Sequence, residues 1–239
     1  MRVPSAAELI RVWELGRSRA PWYRALLLLA PLFPDAPMRA IRELTLGTRN
    51  AYLLALRARL FGTSISALTR CPACADRIEF SIEVESIVPR LPDLVSAYER
   101  TYTCTVDGAQ VAYRLLCTDD LAAVARADQA QPAPPLLAQR VLVASPDAPS
   151  GPALLEAVSE ALLEVEPLAD IQLGVDCAVC KHEWVTSFDV AAFLWSEVEM
   201  EVLRLFDDVH RLGSAYGWSE AAILTMSAHR RREYLLRVS

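Results

Sequence analysis

Two Cys-x-x-Cys pairs are the residues of this chain best suited to chemistry. Cys71 and Cys74 form the first pair, and Cys177 and Cys180 form the second, far along the chain. A gap of two residues lets both sulfurs of a pair reach one ion, so two such pairs supply the four tetrahedral ligands of Zn²⁺. The spacing therefore predicts one structural zinc ion per chain, bound by all four cysteines.

Other uses of paired cysteines fit this sequence less well. The pairs could be unlinked, reduced thiols, which is the main alternative. A thioredoxin-like redox pair lies at a helix N-terminus, where the thiolate pKa is lowered, whereas these pairs precede strand-like segments. A catalytic zinc needs an open coordination position and a general base. His182 is a candidate extra ligand or a solvated side chain, and we predict that the protein is not an enzyme.

The segments that follow the two cysteine pairs resemble each other. RIEFSIEVESI follows the first pair and HEWVTSFDVAAF follows the second, and Phe80, Ile82 and Val84 alternate with polar residues as in a half-buried strand. We interpret them as two halves of one split zinc ribbon. Such turns commonly carry glycine after the second cysteine, where φ is positive, so Ala75 and Lys181 predict backbone strain there.

A β-hairpin is predicted between the two pairs, in the segment TYTCTVDGAQVAYRLLC. Asp107-Gly108 is a preferred two-residue turn because both of its central positions need positive φ. In this register Cys104 faces Val111, so Cys104 and Cys117 are not cross-strand neighbours. We expect both thiols to be buried in the core.

Helical periodicity and capping residues predict the first elements of the chain. Ser5 and Glu8 have capping-box spacing for a helix over residues 6–17. Four prolines then predict an irregular hydrophobic arm in which Leu26 to Leu29 pack on the body or on a partner. Thr48 is the expected N-cap of a helix that ends at Gly62.

The remaining elements are predicted mainly helical. Thr118 is expected to cap a helix, residues 127–135 and 144–152 to form loops, and residues 136–143 to form a short helix or strand. A helix over 151–165 and a strand over 171–175 then lead to the second cysteine pair. Further caps are expected to begin the C-terminal helices: Asp189 for residues 190–212, Ser219 and Ser227.

These elements predict an α+β fold. Its parts are a split zinc-ribbon-like β core, an inserted β-hairpin and helical segment, and a helical C-terminal region. The corresponding domain division is an N-terminal, helical, Pro-rich arm over 1–40, a zinc-ribbon-like α+β domain over 41–188 with its insertion at 89–170, and a helical region over 189–239.

Composition limits the class of protein further. The chain has 239 residues, of which 53% are hydrophobic and 23% charged, which is sufficient for a core and excludes a disordered protein. The net charge of −6 disfavours a general nucleic-acid binder. The longest apolar run, residues 25–33, contains a proline and is far shorter than the roughly 20 residues of a membrane span. We expect a reducing cytoplasm, where paired cysteines commonly bind metal.

His229 to Arg232 form a basic cluster after two short helices, which suggests an alternative function. A zinc-ribbon nucleic-acid-binding regulator could use this cluster as part of a helix-turn-helix. However, three consecutive arginines cover most of a helix circumference, and Glu233 follows them. A solvated face or a contact with an acidic partner protein fits this pattern better.

Several stretches, in order, resemble a family of baseplate proteins from contractile-tailed phages and related bacterial contractile injection systems. They are LTLGTRNAYLLALRARLFG with CPAC, VDGAQVAYRLLCTDDLAAV, CAVCKHEWVTSFDVAAFLWSEVE and DVHRLGSAYGWSEAAILTMSAHRRREYLLRV. The family is described as baseplate hub assembly proteins or chaperones. The resemblance covers roughly residues 41–239 and leaves out the first 40 residues.

The resemblance implies a protein-binding role without catalysis. The implied partners are hub, spike or wedge proteins of a tail-like particle, and the protein would work in the cytoplasm or be incorporated into that particle. The family's paired Cys-Pro-x-Cys-Gly motifs match Cys71, Cys74, Cys177 and Cys180, which implies a structural metal. This chain differs from the family motif by lacking both glycines and the second proline.

Overall fold

The structure is a computed structural model that describes residues 2–127, 133–143 and 151–238. The α-helices are α1 (Ala6–Gly16), α2 (Pro21–Leu29), α3 (Met38–Arg42), α4 (Leu46–Phe61), α5 (Val84–Ile87), α6 (Thr118–Val124), α7 (Ala133–Val141), α8 (Pro152–Val165), α9 (Val190–Tyr216), α10 (Glu220–Leu224) and α11 (Ala228–Leu235). Short 3₁₀ helices lie at Ala30–Leu32 and Pro167–Ala169.

The strands pair as antiparallel hairpins. Their bounds are β1 (Ser64–Arg70), β2 (Arg77–Glu83), β3 (Thr101–Val106), β4 (Ala109–Arg114), β5 (Gln172–Asp176) and β6 (Glu183–Ser187). Each strand pairs with the next one along the chain, as β1 with β2, β3 with β4 and β5 with β6. Small hairpins together with a helical C-terminal region confirm the predicted α+β class. Among the described helices, none has the length and apolarity that crossing a bilayer requires.

The chain divides into two compact units. Unit 1 comprises Met1–Asp35 and Ala191–Ser239, and unit 2 comprises Ala36–Val190. Unit 1 is helical where it is described, and unit 2 contains all the described strands. The N-terminal segment and the C-terminal helices thus belong to the same unit, although they are far apart in sequence.

Helices α1 and α2 form the N-terminal part of unit 1. The predicted capping box at Ser5 and Glu8 is present at the start of α1. The prediction of an irregular arm after it is wrong, because Pro21 begins α2. Proline fits the first helical turn, whose backbone N–H groups need no partner within the helix. Leu26 to Leu29 are all buried, as predicted.

Helix α9 provides the long apolar stripe of unit 1. Its buried positions follow helical spacing and include Leu194, Val198, Val202 and Leu205. The helix continues through Gly213 to Tyr216, beyond its predicted end at residue 212. Ser219 and Ser227 cap α10 and α11, as predicted, by accepting bonds from backbone N–H groups three residues later.

Helix α4 begins at Leu46, three residues earlier than it would with the predicted N-cap, Thr48. Thr45, not Thr48, is the N-cap, and its hydroxyl oxygen accepts a bond from the N–H of Thr48. The predicted end at Gly62 is confirmed, with a φ of 95°. The next strand, β1, was not predicted, whereas β2 was. Strand β2 ends at Glu83, so Val84 belongs to α5 and not to the strand as predicted.

The predicted inserted hairpin is β3–β4. Asp107 and Gly108 both have positive φ, and Cys104 faces Val111 in the predicted register. The hairpin packs on α7 and α8 in a core cluster: Val106, Val111, Tyr113, Leu115, Ala138, Val141, Leu154, Val158 and Leu162. Residues 133–141 form helix α7, so the segment predicted as a short helix or strand over residues 136–143 is mainly helical. The predicted loops are wrong at residues 133–135 and at Pro152, which begin α7 and α8, and their residues 128–132 and 144–150 lie outside the described residues.

The two thiols near this hairpin differ in burial. Cys117 is buried, as predicted, whereas Cys104 is only half-buried, contrary to the prediction. Cys117 is also the N-cap of α6, which corrects the assignment of that role to Thr118. Thr118 is the first residue of the helix instead, and its buried hydroxyl has no hydrogen-bond partner among the described residues.

Candidate metal centre

The first cysteine pair occupies the turn that joins β1 to β2. The backbone N–H of Ala75 donates to the carbonyl oxygen of Cys71 over 2.9 Å. The N–H of Cys71 in turn donates to the carbonyl oxygen of Asp76, also over 2.9 Å. These bonds close the turn at Ala75, where φ is 62°. The left-handed backbone predicted from the missing glycine is therefore present.

The second pair repeats this geometry in the turn between β5 and β6. The N–H of Lys181 donates to the carbonyl oxygen of Cys177 over 2.9 Å. The N–H of Cys177 donates to the carbonyl oxygen of His182, also over 2.9 Å. Lys181 has a φ of 61°, close to that of Ala75. The two hairpins are therefore local repeats of the same strand–turn–strand unit, which supports the predicted internal repeat.

The structure brings the four predicted cysteines together. The Sγ atoms of Cys71 and Cys180 lie 3.6 Å apart, and those of Cys74 and Cys177 lie 3.7 Å apart. All four Sγ atoms lie within 4.8 Å of one another. A tetrahedral site with zinc–sulfur bonds of about 2.3 Å places its sulfurs about 3.8 Å apart. The cluster therefore has the size and the donor set of a four-coordinate site for a soft metal ion.

Two of the four cysteines are buried and two are exposed. Cys71 and Cys177 are buried with Ile78 and Val175, and Phe80 and Trp184 pack against this group. Cys74 and Cys180 are exposed. The apolar side fixes the two hairpins against each other, and the exposed side gives an ion access to the sulfurs.

Ionisation of the thiols is unequal when no ion is present. Burial raises the pKa of Cys71, but bonds from the backbone N–H groups of Cys74 and Ala73 outweigh it, and the pKa falls to about 7. The N–H of Asp76 lowers the pKa of Cys74, but burial and the neighbouring thiols raise it to about 12. Several adjacent thiolates repel one another unless a cation compensates their charge. A bound metal ion would supply that charge.

Histidine is not part of this cluster. The ring of His182 stacks on the ring of Trp184, with centroids 5.9 Å apart and planes inclined by 12°. Among the described residues, no other group of three or more His, Cys, Asp or Glu side chains is arranged to hold a metal ion. Four sulfurs fill a tetrahedral site, so this arrangement suits a structural ion better than a catalytic one.

A buried ion-pair group in unit 2 was not predicted. The carboxylate of Asp120 is fully buried and accepts two bonds from Arg114, at 2.7 and 2.8 Å, and one from Arg140 at 3.1 Å. It also accepts the N–H of Cys117. Burial raises the pKa of Asp120, but Arg114 and this N–H lower it below its ordinary value. The group joins β4, α6 and α7, which is a structural role.

A second buried polar group surrounds the first turn of α4. Thr45 donates its hydroxyl hydrogen to Glu166, and the nearby backbone N–H groups of Gly47 and Thr48 act to lower the pKa of that carboxyl. Burial nevertheless raises the pKa of Glu166. Burial also lowers the pKa of Arg49 to about 10, although nearby carboxylates oppose the change. These contacts attach α4 to the chain after α8.

The C-terminal basic cluster does not form one solvated face. Arg231 is buried, pairs with Asp208 over 3.4 Å and donates to the carbonyl oxygen of Met226 over 2.8 Å. Arg230 lies over the ring of Tyr234, 5.7 Å from its centroid. The interpretation of all three arginines as solvent-facing is therefore wrong for Arg231, which holds α11 on α9.

Comparisons with known protein families, with curated proteins and with solved structures find no significant match to this chain.

Proposed function

We propose that the protein is a zinc-binding, non-enzymatic assembly factor or structural component of the baseplate of a contractile tail-like injection system. The observation that carries the metal part is the cluster of four sulfurs, which lie within 4.8 Å of one another and of which two pairs across the hairpins are 3.6 and 3.7 Å apart. The partner class rests on the ordered sequence resemblance to baseplate hub assembly proteins. We therefore propose that the protein is located in the cytoplasm or in the particle itself.

The metal part is tested by measuring the ion directly. The protein is purified without added metal, and its zinc content is measured by elemental analysis and by native mass spectrometry. We expect about one zinc ion per chain, because Cys71, Cys74, Cys177 and Cys180 complete one tetrahedral shell. A reduced protein that contains no metal and takes up none from zinc-buffered solution would contradict this part.

The partner part is tested by co-purification. The tagged protein is expressed together with the hub, spike and wedge subunits of the tail-like particle from the same source, and each complex is isolated at moderate salt. We expect at least one of these subunits to bind. Particles that assemble and function in a strain lacking this protein, together with no binding to any subunit, would refute the assembly role.

The alternative, a zinc-ribbon nucleic-acid-binding regulator, has one structural feature in its favour. Arg230 and Arg232 are exposed on α11, and Tyr216, Trp218 and Tyr234 form an aromatic cluster beside it. The acidic net charge and the burial of Arg231 disfavour it. Salt-sensitive DNA binding in a gel-shift assay, lost when Arg230 and Arg232 are changed to Ala, would favour this alternative.

A further inference from the structure

An apolar groove runs between α7 and α8 in unit 2. It consists of two adjoining cavities of about 310 and 610 Å³ that share Pro134 and Ser159 in their linings. Leucines dominate the lining of the first cavity, and Leu155 lines the second. No Lys or Arg lines either cavity among the described residues, whereas Glu156 and Glu160 line the second one.

Helix α8 presents three different faces around this groove. Successive residues of an α-helix are about 100° apart, so residues four positions apart share a face. Leu154, Val158 and Leu162 are buried against the β3–β4 hairpin and α7. The next face along the circumference carries Leu155 and Ser159, which line the groove. The third face is a row of carboxylates, two of which, Glu156 and Glu160, line the second cavity.

We name this third face the acidic row: Glu156, Glu160 and Glu164. All three side chains are exposed, and none has an ion-pair partner among the described residues. The sequence of residues 128–132 and 144–150 contains no Lys or Arg, so those stretches cannot neutralise the row. Like charges four residues apart on a helix repel each other. The row therefore has no compensating cation in the part of the chain that the structure describes.

We propose that this groove binds a basic amphipathic helix of a partner protein. The apolar side of such a helix would fill the cavities against Leu155 and Leu163, and its Lys or Arg side chains, spaced four apart, would pair with the acidic row. An acidic segment would be repelled by the same carboxylates, as would a nucleic acid. The inference deepens the proposed function, since the basic helix would belong to a tail-particle subunit.

The test uses a labelled synthetic peptide of Leu and Lys designed as an amphipathic helix, with a Leu and Glu peptide of the same pattern as comparison. Binding to the full-length zinc-loaded protein is measured by fluorescence anisotropy. The variant changes Glu156→Gln, Glu160→Gln and Glu164→Gln together. A matched control changes Glu79→Gln, Glu83→Gln and Glu85→Gln, three exposed carboxylates of the same unit that lie outside the groove. Zinc content and circular dichroism confirm that both variants are folded.

We expect the Leu and Lys peptide to bind the wild type and the control variant equally. Three exposed ion pairs together account for about a tenfold change in affinity, so the acidic-row variant should bind about tenfold more weakly. Hydrogen exchange should slow in α7 and α8 when this peptide binds. Equal weakening in both variants, binding of the Leu and Glu peptide instead, or no binding of either peptide would overturn the proposal.

The outcome separates this inference from the assembly role. If a tail subunit binds the acidic-row variant as well as the wild type, the groove proposal fails while the assembly role stands. If the basic peptide binds as expected but no tail subunit does, the groove proposal stands and the assembly role fails.

Discussion

Ala75 and Lys181 show how single residues limit the stability of the metal centre. Both have φ near 60°, a region in which a side chain costs roughly 1–2 kcal/mol and glycine costs little. We predict that Ala75→Gly and Lys181→Gly each raise the free energy of unfolding by about 1 kcal/mol. Urea unfolding of the zinc-loaded protein measures this change.

Ala73→Gly is the matched control for that measurement. Ala73 lies in the same turn, but its φ is not positive, so glycine there only adds freedom to the unfolded chain. We expect it to leave stability unchanged or to lower it. Equal stabilisation by Ala73→Gly and Ala75→Gly would show that left-handed backbone strain is not the cause.

Among the four proposed ligands, Cys74 is the one whose replacement is the most informative. It is exposed, so Cys74→Ala removes a sulfur from the cluster without leaving a cavity in the core. We predict loss of stoichiometric zinc and a lower melting temperature, because metal-binding free energy contributes directly to folding. Elemental analysis and thermal unfolding measure the two effects. Cys104→Ala, outside the cluster, should keep the metal; loss of zinc from this control, or its retention by Cys74→Ala, would contradict the assignment.

The clustering of the four cysteines could be predicted from sequence because it follows from their residue type and their spacing within each pair. A Cys-x-x-Cys spacing fixes which two sulfurs can reach one ion, and four thiolates suit zinc. Asp120 could not be predicted in the same way. Its partners, Arg114 and Arg140, come from β4 and α7, and only the folded chain brings them to one carboxylate.

At the scale of elements, Asp120 connects a strand and two helices. Removing one member of a buried ion pair leaves an uncompensated charge and typically costs about 3 kcal/mol or more. We predict that Asp120→Asn destabilises the protein by about 3 kcal/mol at neutral pH, because Arg114 loses its carboxylate partner. Chemical denaturation of both proteins with zinc bound measures the difference.

The same carboxylate predicts a pH dependence. The folded pKa of Asp120 is below its ordinary value of 3.8, so its contribution is present above that value and is lost as pH falls through the folded pKa. The difference in the free energy of unfolding between wild type and Asp120→Asn should therefore become smaller below about pH 4. Because acid protonates cysteine ligands and would release any bound metal, the comparison is made between metal-free samples. If this difference in the free energy of unfolding did not change with pH, the ion pair of Asp120 would be excluded as its cause.

Some elements were predictable because their signals are local. The Asp107-Gly108 turn specified β3–β4, and alternation specified most of β2. Strand β1 carries little alternation of large apolar residues, and its identity depends on pairing with β2 across the cysteine turn. The start of α4 depends on a distant residue, since Glu166 accepts the hydroxyl hydrogen of its N-cap, Thr45.

Charge is unevenly distributed over the whole molecule. The net charge of −6 arises in unit 2, because acidic and basic residues nearly balance in unit 1. Unit 2 also contains the four cysteines, the acidic row and the groove. This concentration predicts that partners of unit 2 are basic, and the candidate metal site and the proposed groove then lie in the same unit.

The cysteine cluster also joins parts of unit 2 that are distant in sequence. The first hairpin, β1–β2, precedes the inserted core and β5–β6 follows it, so an ion shared by both would close the insertion at its two ends. No cysteine of the cluster belongs to unit 1. We predict that chelation at neutral pH speeds amide exchange in these two hairpins strongly, in the inserted β3–β4 core less, and in α9 least.

Hydrogen exchange with mass spectrometry measures this order segment by segment, with α9 as the internal reference. The N–H groups of Ala75 and Lys181, which close the two cysteine turns, should be among the first to lose protection. Cys74→Ala without chelator should give the same order, since it removes a ligand by another route. If chelation instead unprotects α9 and the hairpins together, the two units unfold as one; if protection does not change, the cysteine cluster does not hold the hairpins through a metal.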